Sequence, residues 1–149
     1  MKFELKTIAA TKKAARELAR GLSGNELLLL SGELASGKTT FAKFLAEALG
    51  FNPDEVSSPS FTIVNRYSSA KKPFGIYHLD LYRLANGSSL EPLGLEHILG
   101  SDDLVAVEWP EAGAKIFERS PRNTLLLRFE LSGGKRFLTV ERLKRHPSI

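Results

Sequence analysis

Residues 26–41 read Glu26-Leu27-Leu28-Leu29-Leu30-Ser31-Gly32-Glu33-Leu34-Ala35-Ser36-Gly37-Lys38-Thr39-Thr40-Phe41. The opening Glu-Leu-Leu-Leu-Leu is a continuous apolar run, the pattern of a strand buried on both faces of a parallel sheet. Gly32 to Thr39 then fits G-x-x-x-x-G-K-[ST] at every fixed position. Glycine at 32 and 37 lets the backbone curl round a phosphate. The loop N–H groups and the N-terminus of the next helix then face the anion. Lys38 adds a point charge for the outer phosphates, and the Thr39 hydroxyl is placed to coordinate magnesium. A buried strand before the motif and a helix starting near Lys38 are the context it requires. The spacing therefore predicts a nucleoside triphosphate site built from Gly32, Glu33, Leu34, Ala35, Ser36, Gly37, Lys38, Thr39 and Thr40. The rival reading is a glycine loop that only joins strand to helix.

Outward from this stretch the chain alternates strands and helices. Lys38 to about Leu49 carries Phe41, Leu45 and Leu49 on one side, and Gly50 and Pro53 stop it. Upstream, Phe3–Lys6 reads as an edge strand. Thr7 or Thr11 caps a helix whose stripe is Ile8, Ala15, Leu18 and Leu22, closed by Gly21 or Gly24. Downstream, Ser60–Tyr67, Phe74–Leu84 and Leu104–Val107 read as strands, and residues 85–100 as a loop with a short helix. Ala112–Glu118 allows a helix, and Leu125–Leu131 with Arg136–Arg142 forms a hairpin about Gly133-Gly134. The expected fold is α/β: a P-loop NTPase-like, mixed but mostly parallel sheet flanked by helices, with a C-terminal antiparallel hairpin, in one domain spanning 1–149.

A chain of 149 residues suits one domain of about 100–200 residues. With 42% hydrophobic and 26% charged residues, disorder, collagen and coiled coil are excluded. No apolar run approaches the roughly 18 residues of a membrane span, and the N-terminus lacks the apolar block of a secretory leader. Cysteine is absent, which removes disulfides, thiolate metal sites and a cysteine nucleophile. A cytoplasmic protein is expected. The net charge of +4 is unevenly spread: the two ends are basic, while residues 84–114 carry six acids and no Lys or Arg. Such poles suit charged partners, one basic and one nucleic acid, with a merely solvated surface as the alternative.

A P-loop enzyme also needs a carboxylate at the end of a neighbouring strand, to hold magnesium or to orient the attacking water. Glu108 follows four apolar residues and matches that position. Trp109, the single tryptophan, is either a wall of the nucleotide site or a turn residue. In Tyr77-His78-Leu79-Asp80-Leu81-Tyr82 alternation puts His78, Asp80 and Tyr82 on one strand face. Burying such a polar row is costly without purpose, so Asp80 is a second metal or water-orienting candidate; a self-satisfied structural network is the rival. The hydroxyl-rich segment 57–62 follows the P-loop helix, where switch segments of nucleotide hydrolases reach the γ-phosphate. No arginine finger is evident. Arg66 and Arg83 are the in-chain candidates, and a partner is the other source.

Four segments taken together, GELASGKTTFAK, SPSFTIVNRY, YHLDLYR and VEWPE, resemble the bacterial TsaE family of ATPases. The resemblance implies a part in making N6-threonylcarbamoyladenosine at position 37 of tRNAs that read codons beginning with A. It implies ATP and Mg2+ as ligands and the TsaB and TsaD subunits as partners, with tRNA reached through that complex. It further implies phosphate and magnesium held by Lys38 and Thr39, and magnesium and catalytic roles for Asp80 and Glu108. Thr62 falls in a switch-like loop near the nucleotide, and Trp109 lies beside it. Members are weak ATPases alone, and turnover is expected to reset the partner complex. Two residues depart from the family pattern: Ala35 stands for a usual glycine and Ser60 for a usual threonine. The alternatives from other classes are a small nucleoside or nucleotide kinase, for which an arginine-bearing lid is wanting, and a nucleotide-binding switch that does not require hydrolysis.

Overall fold

The computed structural model describes residues 1–33, 35–56, 59, 63–84 and 93–144. Leu34, Thr62 with most of the hydroxyl-rich 57–62 segment, Ser60, and the first part of the 85–100 connection lie outside the described residues.

The run expected to be doubly buried is strand β2, Leu27–Ser31, with Leu27, Leu28 and Leu30 essentially inaccessible. It sits centrally in a seven-stranded sheet of order β1-β7-β6-β2-β5-β4-β3. Its neighbours are β5, Leu104–Glu108, and β6, Thr124–Ser132, both parallel to it. Next to β5, and also parallel, lies β4, Ile76–Asp80. Antiparallel strands complete both edges: β3, Val64–Tyr67, beside β4, and β7, Lys135–Lys144, beside β6, with β1, Lys2–Glu4, outermost. The parallel centre and C-terminal hairpin are as the sequence pattern requires.

Helix α1, Ile8–Arg20, packs on α2, Lys38–Ala48, and both cover one sheet face over Leu28, Leu30, Leu104, Ala106, Leu127, Phe129 and Leu138. The other face, with Leu27, Leu79, Val105 and Val107, is covered by the short helices α3, Leu95–Leu99, and α4, Ala114–Arg119. Full burial of each such leucine or valine contributes roughly 1.5–3 kcal/mol, so β2 is an anchor for everything at its end. No described helix is long and apolar enough to cross a membrane.

Local expectations hold in outline, with strand ends shifted: the first strand is Lys2–Glu4, not Phe3–Lys6, and β4 begins at Ile76, not Phe74. Thr7 is the cap of α1, its Oγ1 accepting from the Ala10 N–H at 3.0 Å. Ile8, expected on the apolar stripe, is instead 69% exposed, because the first turn precedes the point where α1 meets the sheet. Strand β4 stops at Asp80, short of the expected Leu84, and Tyr82–Leu84 is a 3-10 turn. The helix expected over 112–118 is split into a 3-10 turn, Pro110–Gly113, and α4.

One buried cation organises the lower edge. The Arg122 guanidinium is buried and donates to the carbonyls of Leu99 (2.8 Å), Asn25 (3.0 Å), Asp103 (2.6 Å), Ile98 (3.3 Å) and Ser101. It thereby satisfies carbonyls at the C-terminal end of α3, which such a short helix cannot pair internally. Arg122→Ala should lower unfolding stability by about 3 kcal/mol or more, since several buried acceptors lose their donor together. Arg122→Lys should recover little of the loss, because one ammonium cannot span the same fan of carbonyls. Urea midpoints of the two variants check both statements.

Candidate active site

Parallel register does the first part of the assembly. Leu30 of β2, Glu108 of β5 and Asp80 of β4 lie abreast. Residues paired in adjacent parallel strands point to the same face, with strands about 4.8 Å apart. Glu108 and Asp80 therefore stand side by side at the carboxyl ends of neighbouring strands, on the face that α2 covers. Both are buried.

The loop from β2 to α2 brings the other components. Gly37, at φ +101°, is the N-cap of α2, and the Gly32 backbone is at φ +152°. A Cβ on Gly32 would sit 2.7 Å from the Phe129 carbonyl oxygen and 2.9 Å from Ser36 Oγ, so no side chain fits there. Ala35 is also left-handed, at φ +61°; the departure from glycine is accommodated, with strain. The Ser36 hydroxyl is buried and makes no hydrogen bond among the described residues. Leaving such a group unpaired costs about 1–3 kcal/mol, and this one lies in a loop lining a cavity of about 300 Å³. The cavity is bounded by Ala35 to Thr40, Asp80, Glu108, Trp109 and Arg136.

Lys38 is buried at the mouth of the loop. Its Nζ donates to the carbonyls of Gly32 and Glu33 and lies 4.0 Å from the centroid of the Trp109 ring. Burial pushes its ammonium below the ordinary lysine value, while Glu108, Glu111 and Asp80 act in the opposite direction. Trp109 is held at φ +57°, an uncommon conformation for a bulky residue, and its ring is 4.8 Å from that of Tyr82.

One hydrogen-bonded contact joins loop to sheet. Thr39 Oγ1 donates to Glu108 at 2.9 Å to Oε1 and 3.1 Å to Oε2. Glu108 Oε2 also meets His78 Nε2 at 2.6 Å, and His78 Nδ1 lies 3.2 Å from the Tyr67 hydroxyl. An ionised carboxylate only accepts, so Nε2 must donate to it; in a neutral imidazole Nδ1 then accepts from Tyr67. Asp80 Oδ1 accepts from the Tyr82 N–H at 2.9 Å and so starts the 3-10 turn.

The structure thus gathers Ala35 to Thr40, Asp80, Glu108 and Trp109 round one cavity, with Gly32 and Glu33 just behind it. Leu34 and Thr62 fall outside the described residues. The polar row is confirmed for His78 and Asp80 only: Tyr82 leaves the strand and is exposed. Arg66 is removed as a finger, because Asp103 holds it (Nε–Oδ2 3.0 Å) at the opposite end of β5 from Glu108. Sequence reading missed the pairing of His78 with Glu108 and the presence of Arg136. The first had one signal, a histidine on the same strand face as an acid; the second had none.

Comparison with known proteins shows the family and the fold. The family model described as threonylcarbamoyl adenosine biosynthesis protein TsaE matches residues 5–141. A Synechocystis protein named tRNA threonylcarbamoyladenosine biosynthesis protein TsaE is 42% identical over 115 residues, covering 74% of this chain and 71% of its own. The Bacillus subtilis protein of that name is 34% identical, covering 93% of this chain and 90% of its own. Among solved structures, that of Bacillus subtilis YdiB superposes with a TM-score of 0.73 at 28% identity, covering 97% of this chain and 86% of that one.

Strain at residue 35 gives a clean test of the loop. Ala35→Gly should be neutral or stabilising by up to about 1 kcal/mol, because relief of left-handed strain is offset in part by greater freedom of the unfolded chain. Ala35→Val should be destabilising by at least about 1 kcal/mol. Thermal melting of both variants would reveal the opposite order if the backbone here were extended.

Proposed function

This chain belongs to the TsaE family of tRNA threonylcarbamoyladenosine biosynthesis proteins, and from that premise we propose that it is a magnesium-dependent ATPase. In this reading it acts with TsaB and TsaD subunits to modify position 37 of tRNAs reading codons that begin with A. Its hydrolysis of ATP resets that complex for further rounds. The observation that carries the reading is the contact of Thr39 Oγ1 with both oxygens of Glu108. It brings the hydroxyl of a phosphate-loop motif onto a strand-end carboxylate.

The donor set suits the metal. Magnesium takes hard oxygen ligands and is usually held by one or two carboxylates together with substrate phosphates. Thr39 Oγ1 and a Glu108 oxygen would hold it here. When bound, it neutralises charge developing on the phosphates. The loop amides and Lys38 bind the phosphate chain, and Lys38 exchanges its bonds to the Gly32 and Glu33 carbonyls for phosphate oxygens. The Ser36 hydroxyl gains the acceptor it lacks. Asp80, abreast of Glu108 and anchored through the Tyr82 N–H, orients the attacking water. His78 keeps the Glu108 carboxylate fixed from behind.

Two measurements test this. Mg-ATP hydrolysis by the chain alone should be slow and should climb when TsaB and TsaD are added; a rate indifferent to them would overturn the coupling. Glu108→Ala should still bind ATP yet lose about 100-fold or more of the turnover, and should fail to support repeated tRNA modification. If that variant sustains modification without hydrolysis, nucleotide binding alone is the function.

A further inference from the structure

Arg136 lines the cavity beside the phosphate loop, and the fold itself gives it nothing to hold. Among the described residues its guanidinium makes no ion pair or hydrogen bond, and the residue is exposed. Its backbone is nevertheless well fixed. The Arg136 carbonyl accepts from the Leu5 N–H at 2.8 Å, and Arg136 stands opposite Leu131 in the β6–β7 ladder.

Two features of the sheet aim this side chain. Leu138 and Val140, at alternate positions of β7, belong to the core beneath α1 and α2, so Arg136 projects on that same face. The hairpin also outruns its neighbour. Ser31, the last residue of β2, is level with Arg128, and Leu131 lies three residues further on, a rise of about 10 Å. The overhang carries Arg136 past the end of β2 to the level of the loop and the first turn of α2. Asp80 and Glu108 stand on the other flank, at the ends of β4 and β5. The loop lies between the guanidinium and the two acids.

Charge gives the position a purpose. Lys38 is already surrounded by Glu108, Glu111 and Asp80, and a nucleoside triphosphate adds several negative charges to the same cavity. A planar, permanently charged fork is the side chain best matched to phosphate oxygens.

We propose that Arg136 binds the phosphate chain of the nucleotide in cis, on the part shared by the di- and triphosphate, with the reacting end directed toward Asp80 and Glu108. This rests on the nucleotide-binding reading above. The C-terminal hairpin then serves as an arm of the nucleotide site as well as an edge of the sheet.

The test uses the full chain and titrates Mg-ADP and Mg-ATP by calorimetry, with Trp109 fluorescence as a second readout. Arg136→Ala should weaken both nucleotides by about tenfold or more, by the same factor for each. Arg136→Lys should recover part of the loss. Arg128→Ala removes a charge from an exposed residue of the neighbouring strand that is not among those bounding the cavity, and should leave both affinities unchanged. Unaltered binding by Arg136→Ala would overturn the assignment while leaving the nucleotide site intact. A loss confined to ATP would place the guanidinium on the terminal phosphate and overturn it as well. An equal loss in Arg128→Ala would reduce the effect to net charge. A wild-type chain that binds neither nucleotide would overturn this inference together with the functional reading beneath it.

Discussion

Glu108 is the constraint on which the site depends. A carboxylate this deeply buried, 3% exposed, is intolerable without donors. The protein gives it two from different parts of the fold: the Thr39 hydroxyl from the first turn of α2 and the His78 imidazole from β4. Satisfying one acid therefore ties the phosphate loop, the central strand β5 and the outer strand β4 into one arrangement. Tyr67 of β3 extends it to the edge of the sheet. Charge-assisted bonds of this kind are worth roughly twice a neutral one.

Lys38 is under a different kind of constraint. Its ammonium is shared among two loop carbonyls and the face of Trp109. In the proposed reading, each of these contacts would compete with phosphate for the same charge. On that reading, nucleotide affinity is then the difference between two coordinated states of a buried Lys38, not the gain of bonds by a bare cation. Trp109, in its left-handed conformation, packs at a tilt against Tyr82 and receives the Lys38 ammonium over its ring. Strain of about 1–3 kcal/mol in such a residue persists only where the surroundings over-determine it.

How much of this was legible in the sequence follows from the range of the interactions. The buried strand, the loop, the helix after it and the acid at the end of β5 are local patterns, and each appears where the pattern puts it. Tyr82 was misplaced because alternation says nothing about where a strand stops; Asp80 ends β4 by accepting the Tyr82 N–H and starting a turn. The His78–Glu108 bond spans two strands and depends on their register, which periodicity does not encode. Arg66 stood as a candidate arginine finger until Asp103, distant in sequence, proved to hold it. Nothing local in the sequence marks Arg122, because the carbonyls that converge on it come from residues 25–26 and 98–103.

Arg136 marks the limit of sequence reading most clearly. Nothing in Gly-Gly-Lys-Arg-Phe distinguishes it from any basic residue after a hairpin turn. Its relation to the phosphate loop arises from one geometric accident: β6 and β7 are longer than the β2 strand they flank. Strand length, set by the two-residue glycine turn at Gly133-Gly134 and its positive φ angles of 57° and 76°, thus decides on which flank of the candidate site the guanidinium lies. The acids enter that site through parallel register and the guanidinium through an antiparallel overhang. Its opposite charges stay apart because they belong to different kinds of strand pairing.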